Sequence, residues 1–388
     1  MKKKKFLALI SAVLLVAVLF CACAKETPAP TQAPQTQTPA TQAPATQAPD
    51  TTSPDQTQEP VALPSFKLGL IVYTNTGGWF DRIYDGVKVL ADATGTTFQM
   101  GGGSTPDEAV AAVENLCAAG VDGIIDLATG GVSERLLQIC EQNGVYFVAA
   151  NNNLTIEPGY DTFKNNPYYV GSVYADDKKV GYDIAKEMLA NGAEKMAIFG
   201  LPPGISAAFD NRFTGAYQAL EEAGKTAITE ARSFVMAEAA QNLLTQFPDV
   251  DAIFSAVDSS NYLYQPLISA GYGGKIQISS FDDGSDVSVG FDNGILSHAV
   301  EGVNAQAQIA YVLLYNALTD NKMTLDDGSV PDILMPYVLL HSTEEYKAYV
   351  ELSKGGVYSL EELSEYIVLS NPDASVDNLI KLAQSFGK

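Results

Sequence analysis

Between residues 66 and 341 the chain alternates short apolar runs with segments whose apolar positions recur every three or four residues. The first kind has the length and β-branched content of strands buried on both faces of a parallel sheet; the second reads as amphipathic helix. The opening unit is the clearest. Leu68 to Tyr73 (LGLIVY) is a strand, and the cluster TNTGG from Thr74 to Gly78 is a turn. Phe80, Ile83, Tyr84, Val87, Leu90 and Ala91 then mark one helix face, which Gly95 is placed to end. The same reading predicts strands near 96–100, 121–127 and 145–150, with helices near 79–94, 106–119 and 133–143. Thr105 with Glu108 fits a capping box and Pro106 the first helical position. Gly101 to Gly103 therefore read as a turn into a capped helix; no Gly-Lys-Ser/Thr follows to make a phosphate loop.

Asn151, Asn152 and Asn153 open a long polar loop that runs to Pro167. A strand over 168–173 and a helix over 174–189 follow. Strands near 195–200, 228–235, 251–257, 276–281 and 295–300 form a second series, and a helix over 304–318 and a strand over 334–340 come after it. The tail carries helical patterns near 343–352, 360–368 and 375–386. Two comparable series of βα units predict an α/β protein with two doubly wound parallel-sheet lobes. In open α/β sheets ligands bind outside the carboxyl ends of the strands. Asn75, Trp79 and Phe80, directly after the first strand, stand where a ligand would.

The N-terminus differs in kind. Four lysines precede an apolar stretch from Phe6 to Phe20, which is short for a spanning helix, and then Cys21, Ala22 and Cys23. Residues 1–23 read as a lipoprotein signal, with Cys23 the expected lipidation site and Cys21, behind bulky Phe20, the alternative. Residues 24–64 are Thr, Gln, Ala and Pro with TQAP repeats at 31–34, 41–44 and 46–49, a disordered, proline-stiffened tether. Removing the four leader lysines takes the formal net charge from −23 to −27. Such a surface serves solubility and argues against nucleic-acid binding, and membrane contact is expected through the N-terminal lipid alone. Cys117 and Cys140 fall near the ends of neighbouring helices, open to a disulfide or to two buried thiols. No CxxC, HExxH or Cys/His cluster occurs, so no metal ligands and no cofactor are assigned, and His298 reads as structural.

Candidate chemistry gathers after the later strands. The block Ile198 to Tyr217 (IFGLPPGISAAFDNRFTGAY) ends a strand in a Gly-containing loop and continues into Arg212-x-x-Gly215. Asp258 follows the strand near Phe254, and Phe281-Asp282-Asp283 ends the strand from Ile278. Glu301 lies just past the strand near 295–300. Asp258 serves equally as a helix N-cap, Asp283 reads as a turn residue, and Arg212 reads either as a site residue or as a solvated helix-face cation.

These blocks, in this order and with the Asn turn and paired aromatics after the first strand, resemble the type I periplasmic binding proteins for sugars, the ribose- and galactose-binding group. The resemblance covers about residues 66–341. It implies a three-strand hinge between lobe 1 (65–172 plus 303–333) and lobe 2 (173–302 plus 334–388, with a helical C-terminal extension). It also implies a ligand site of Asn75, Trp79, Phe80, Asn151, Asn152, Arg212, Asp258, Phe281, Asp282 and Glu301. The family's arginine bonds ligand hydroxyls or the ring oxygen, so that role falls on Arg212. Two departures stand out: the family more often has amides where Asp258 and Glu301 lie. The implied function is capture of a monosaccharide or similar polyol by a monomeric, lipid-anchored protein on the outer face of the cell membrane, which hands it to an ABC permease. A sensory receptor for a sugar-like signal is the alternative. An enzyme is disfavoured: the first turn lacks G-x-G-x-x-G, G-x-S-x-G is absent, and only Asp258 with Asp282 would suit a glycosidase.

Overall fold

The computed structural model describes residues 62–102, 105–128, 130–284 and 287–387. The expected leader, Cys23 and Cys21, and the tether up to residue 61 lie outside the described residues. Among the described residues no helix is long and apolar enough to cross a membrane.

The first lobe opens with β1 (Lys67–Val72), α1 (Gly78–Thr94), β2 (Thr97–Gly102), α2 (Pro106–Ala118), β3 (Gly123–Asp126), α3 (Ser133–Asn143), β4 (Tyr146–Ala150), α4 (Tyr160–Phe163) and β5 (Tyr169–Ala175). The second follows with α5 (Asp177–Ala190), β6 (Met196–Gly200), α6 (Ala207–Glu222), β7 (Glu230–Arg232), α7 (Met236–Gln246), β8 (Ala252–Ser255), α8 (Tyr264–Ser269), β9 (Gln277–Phe281), α9 (Ser288–Asp292) and β10 (Leu296–Glu301). After these come α10 (Val303–Leu318), β11 (Asp332–Met335), β12 (Val338–Leu340), α11 (Thr343–Leu352), α12 (Leu360–Ser364) and α13 (Val376–Ser385). The sheets run β11-β5-β4-β3-β1-β2 and β12-β10-β9-β8-β6-β7, the same winding twice. All pairings are parallel except β12 with β10. Leu68–Val72 and all of β4 except Tyr146 are buried, as are all residues of β6, because helices cover both faces.

The chain crosses between the sheets three times: from β5 into α5, from β10 into α10, and from β11 into β12. Where one strand over 334–340 is expected, Pro336 and Tyr337 divide it in two. Its first half pairs with β5 and its second with β10. The pairing of Ala175 with Met335 also holds Tyr174 and Ala175 in β5, so α5 starts three residues later than the helical pattern indicates. Gly101 and Gly102 belong to β2 rather than to a turn; a Cβ on Gly101 would lie 3.0 Å from Leu116 of α2. The capping box of Thr105 and Glu108 is present with Pro106 in the first turn.

The C-terminal extension spans both lobes instead of belonging to the second. Its α11 packs on α9, while α12 packs on α1 and α13 on α10 and β11. Buried amides of α10 hold it there. Gln308 donates to the Tyr358 carbonyl and accepts from its N–H, both at 2.9 Å, and Asn316 bonds Tyr366 O and Val368 N at 2.8 and 2.9 Å. This cover explains why fifteen residues of α10 are buried. Cys117 and Cys140 are free, buried thiols on the packed pair α2 and α3.

Candidate functional site

The carboxyl ends of both sheets face one crevice, as the winding requires. Tyr73 (after β1), Ala128 (after β3) and Asn151 and Asn152 (after β4) line it from the first lobe. Leu201 (after β6), Asp258 (after β8) and Phe281 and Asp282 (end of β9) line it from the second. The cavity is about 360 Å³, near the small end of the roughly 300–1,000 Å³ typical of small-molecule sites. The lobes also meet directly, the Gly78 N–H donating to the Gly284 carbonyl at 2.9 Å.

Arg212 is the centre of the site and is 2 % exposed, so it is not a solvated helix-face cation. Its Nε donates to Asp177 Oδ1 at 2.7 Å, Nη1 to the Ala256 carbonyl at 3.0 Å and Nη2 to the Tyr337 hydroxyl at 2.8 Å. Those bonds use three of the five N–H donors of a guanidinium. The Phe281 ring lies 4.2 Å below it. Gly215, three residues on, has a separate purpose. A Cβ there would come within 2.0 Å of the Lys178 carbonyl, so the glycine lets α6 lie directly on α5, which carries Asp177. Tyr337, in the third crossing, donates to Asp177 Oδ1 at 2.8 Å while accepting from Arg212.

Asp282 is 8 % exposed and sits at φ 53°, a left-handed conformation that turns the chain sharply at the end of β9. Its Oδ2 lies 3.8 Å from Arg212 Nη2, too long for a hydrogen bond, and its Oδ1 has no partner among the described residues. Burial, opposed by Arg212, pushes its carboxyl up to about 7. Trp79 Nε1, on the opposite wall, also has no partner among the described residues. The Trp79 indole stacks on Tyr73 with ring centroids 4.3 Å apart. A donor and an acceptor, both buried and unbonded, thus belong to residues that line one cavity with aromatic walls. A buried polar atom left unpaired costs free energy that a ligand recovers by bonding it.

Seven of the ten expected residues line the cavity: Trp79, Asn151, Asn152, Arg212, Asp258, Phe281 and Asp282. The other three do not. Asn75 is exposed in the turn before α1. Phe80 stacks on Tyr84 at 5.6 Å; neighbours on a helix are about 100° apart, so Trp79 and Phe80 cannot both face the crevice. Glu301 is 3 % exposed and accepts two bonds from Arg82 Nη2, at 2.8 and 3.0 Å, instead of lining the site. Asp258 lines the cavity, yet Oδ1 accepts from Ser260 N at 2.8 Å and Oδ2 from Asn261 Nδ2 and Gly284 N at 2.8 and 3.1 Å. It organises its loop more than it offers lone pairs. Asp283 is not a surface turn residue: it is 1 % exposed, accepts from the Ser280 hydroxyl, and burial holds its carboxyl well above the ordinary range.

The Periplasmic binding protein domain family matches residues 68–322, more than half of the chain. The chain belongs to this family. No curated protein sequence matches it. Among solved structures it is similar to a galactofuranose binding protein, at 19 % identity and TM-score 0.61 over 76 % of this chain and 100 % of that one. It is also similar to an ABC transporter solute binding protein from Burkholderia graminis in complex with D-arabinose (17 % identity, TM-score 0.62, 74 % and 98 % covered). A third is an ABC transporter periplasmic solute binding protein from Actinobacillus succinogenes with bound D-allose (21 %, 0.61, 73 % and 99 %). These likenesses establish the fold, two lobes of mostly parallel sheet joined by three crossings.

Local sequence marks only part of what this periplasmic binding protein uses. Tyr73 was visible as the last apolar residue before the turn, but as the end of a strand. Tyr337 and Arg82 carried no local signal. Arg82 reaches the Asp283 carbonyl at 3.1 Å as well as Glu301, tying α1 of one lobe to the β9 and β10 ends of the other.

Proposed function

We propose that this periplasmic binding protein captures a small neutral carbohydrate, a monosaccharide or similar polyol, between its lobes. The observation that carries the reading is the pairing of unbonded Asp282 Oδ1 and Trp79 Nε1 with the spare Arg212 donors around one small cavity. A sugar hydroxyl both donates and accepts, so one ring can satisfy all three. The carboxylates Asp177, Asp258 and Asp282 outnumber Arg212, which disfavours an anionic ligand. Charge-assisted bonds of about 1.5–3 kcal/mol each are enough for micromolar affinity, about −8 kcal/mol. The aromatic pair Tyr73–Trp79 would cover the apolar face of the ring.

The closed protein would then dock on an ABC permease and release the sugar; no bond is made or broken in this chain. The leader would export it, and lipid on Cys23 would hold a monomer to the outer face of the membrane by the tether.

A calorimetric and thermal-shift panel of monosaccharides, polyols, nucleosides and amino acids tests the reading. A hundredfold excess over Kd adds about 2.7 kcal/mol of stability. A response to one sugar, weakened in Asp282→Asn, is the expected result. A response confined to nucleosides or amino acids would overturn the carbohydrate assignment.

A further inference from the structure

The chain has two histidines, 43 positions apart, and the fold brings both to one carboxylate. His298 lies on β10 and His341 directly follows β12. The antiparallel register pairs Ala299 with Leu340, so the next pair outward is His298 with His341, and their rings stand 5.1 Å apart. Glu187 reaches them from α5: its Oε2 is 3.1 Å from His298 Nε2 and 4.0 Å from His341 Nε2. His298 is 1 % exposed, while the side chains of Glu187 and His341 are 48 % and 44 % exposed and leave an entry path from solvent.

Ser297 Oγ donates to the Ile278 carbonyl at 3.0 Å and lies 2.7 Å from His298 Nδ1. In the tautomer with the ring hydrogen on Nδ1, that hydroxyl accepts it and Nε2 turns a lone pair toward the Glu187 carboxylate 3.1 Å away. A single cation can then be held by both.

We propose that Glu187, His298 and His341 form a binding site for a divalent transition metal of the zinc class. Two imidazoles and a carboxylate suit Zn²⁺, Co²⁺, Ni²⁺ or Cu²⁺ rather than Mg²⁺ or Ca²⁺. Bonds of 2.0–2.2 Å in a tetrahedron put ligand atoms about 3.3–3.5 Å apart. The His298–Glu187 distance is already close to this, and half-exposed His341, 4.0 Å from Glu187, has to move closer to both. The fourth position is left to water. Ser297 holding Nδ1–H is the outer partner that metal-bound histidines ordinarily have. The ion would fasten β12, which continues the third crossing, to β10 and α5. The trio lies outside the sugar cavity, so this site stands independently of the carbohydrate reading.

The test is a Zn²⁺ titration of the untagged full chain against a chromophoric chelator, with Co²⁺ absorption as the geometric probe. One equivalent bound, with the intense visible band of tetrahedral Co²⁺, is expected. Ser297→Ala, which removes only the outer partner, should lower affinity about 10–100-fold. Glu187→Gln and His341→Ala, at half-exposed positions, should each lower it further and abolish the Co²⁺ band while circular dichroism stays unchanged. Absence of stoichiometric binding would overturn the proposal, and so would affinity that survives both ligand substitutions.

Discussion

Two arginines in this molecule, one buried and one half-buried, look alike and do different work. Arg212 and Arg82 each sit against buried carboxylates, Asp177 and Asp282 for the first and Glu301 for the second. Arg212 lies within one lobe, lines the cavity and leaves donors free. Arg82 starts from the other lobe and spends one nitrogen on Glu301 and on the Asp283 carbonyl across the boundary. The crossings separate them further. Asp177 follows the first crossing and Tyr337 lies in the third, so the Arg212 cluster gathers two of the three. Glu301 precedes the second, which leaves that one to Arg82. An arginine–carboxylate pair is thus a recognition device or a latch according to which side of the lobe boundary its partner occupies.

Arg212→Ala gives the largest effect. It removes the spare donors and leaves Asp177 buried with only the Tyr337 hydroxyl. Breaking such a pair costs about 3–5 kcal/mol of stability, and losing two charge-assisted ligand bonds costs more than about a hundredfold in affinity. Urea unfolding and calorimetry measure the two. Because the position is buried, loss of binding comes together with loss of stability, which a surface arginine would keep apart. Full affinity in a folded Arg212→Ala protein would dissolve the distinction between the two arginines.

The next effect is pH dependence through Asp282. Its folded pKa of about 7 lies above an ordinary carboxylate near 4, so between those values the native chain holds more protons than the unfolded one. Stability contributed by this group therefore falls as pH rises from about 4 to 7. Affinity moves the opposite way, because a sugar hydroxyl donates a stronger, charge-assisted bond to the ionised form. It should rise toward a plateau above pH 7, no more steeply than about tenfold per unit. Asp282→Asn should flatten both trends, and calorimetry with melting curves at pH 5.5 and 8 reads them. An affinity that falls with pH would place the proton, not the carboxylate, in the bond.

Arg82→Ala sharpens the latch side. It leaves every cavity residue in place and removes the link from α1 to Glu301 and Asp283, so its effect passes through lobe closure. Coupling of this kind is typically 1–3 kcal/mol, and roughly tenfold weaker binding is expected. The ligand-free radius of gyration, by small-angle scattering, should increase in the variant and stay constant in Asp282→Asn. Equal radii would make Arg82 a cavity support and remove the contrast.

How much of this was readable from the sequence follows the range of each interaction. The β1–α1 unit, the Thr105 capping box and the Phe281-Asp282 strand end are local patterns, and they stand where periodicity placed them. Arg82 and Glu301 are 219 positions apart, so nothing near either residue marks the pair, and the family resemblance puts Glu301 into the site instead. Tyr337 was hidden because Pro336 splits what reads as one strand. The reach of the tail onto the first lobe has no local signal, because Gln308 and Asn316 grip its backbone, a contact that side-chain patterning does not record.

Trp79→Phe gives the smallest effect and isolates one atom. The substitution keeps an aromatic ring against Tyr73 and takes away Nε1–H, which has no protein partner among the described residues. If the ligand is what satisfies that donor, affinity should drop by the worth of one neutral hydrogen bond, about 0.5–1.5 kcal/mol, or roughly 2–10-fold. The ligand-free protein should gain slightly in stability, since an unpaired buried donor disappears. Opposite signs in the two measurements are the signature of a group held unsatisfied for a ligand. A donor that merely packs in the core would give the stability gain with no change in affinity, and the lobe 1 wall would then act through shape alone, leaving directional recognition to the Arg212 side of the crevice.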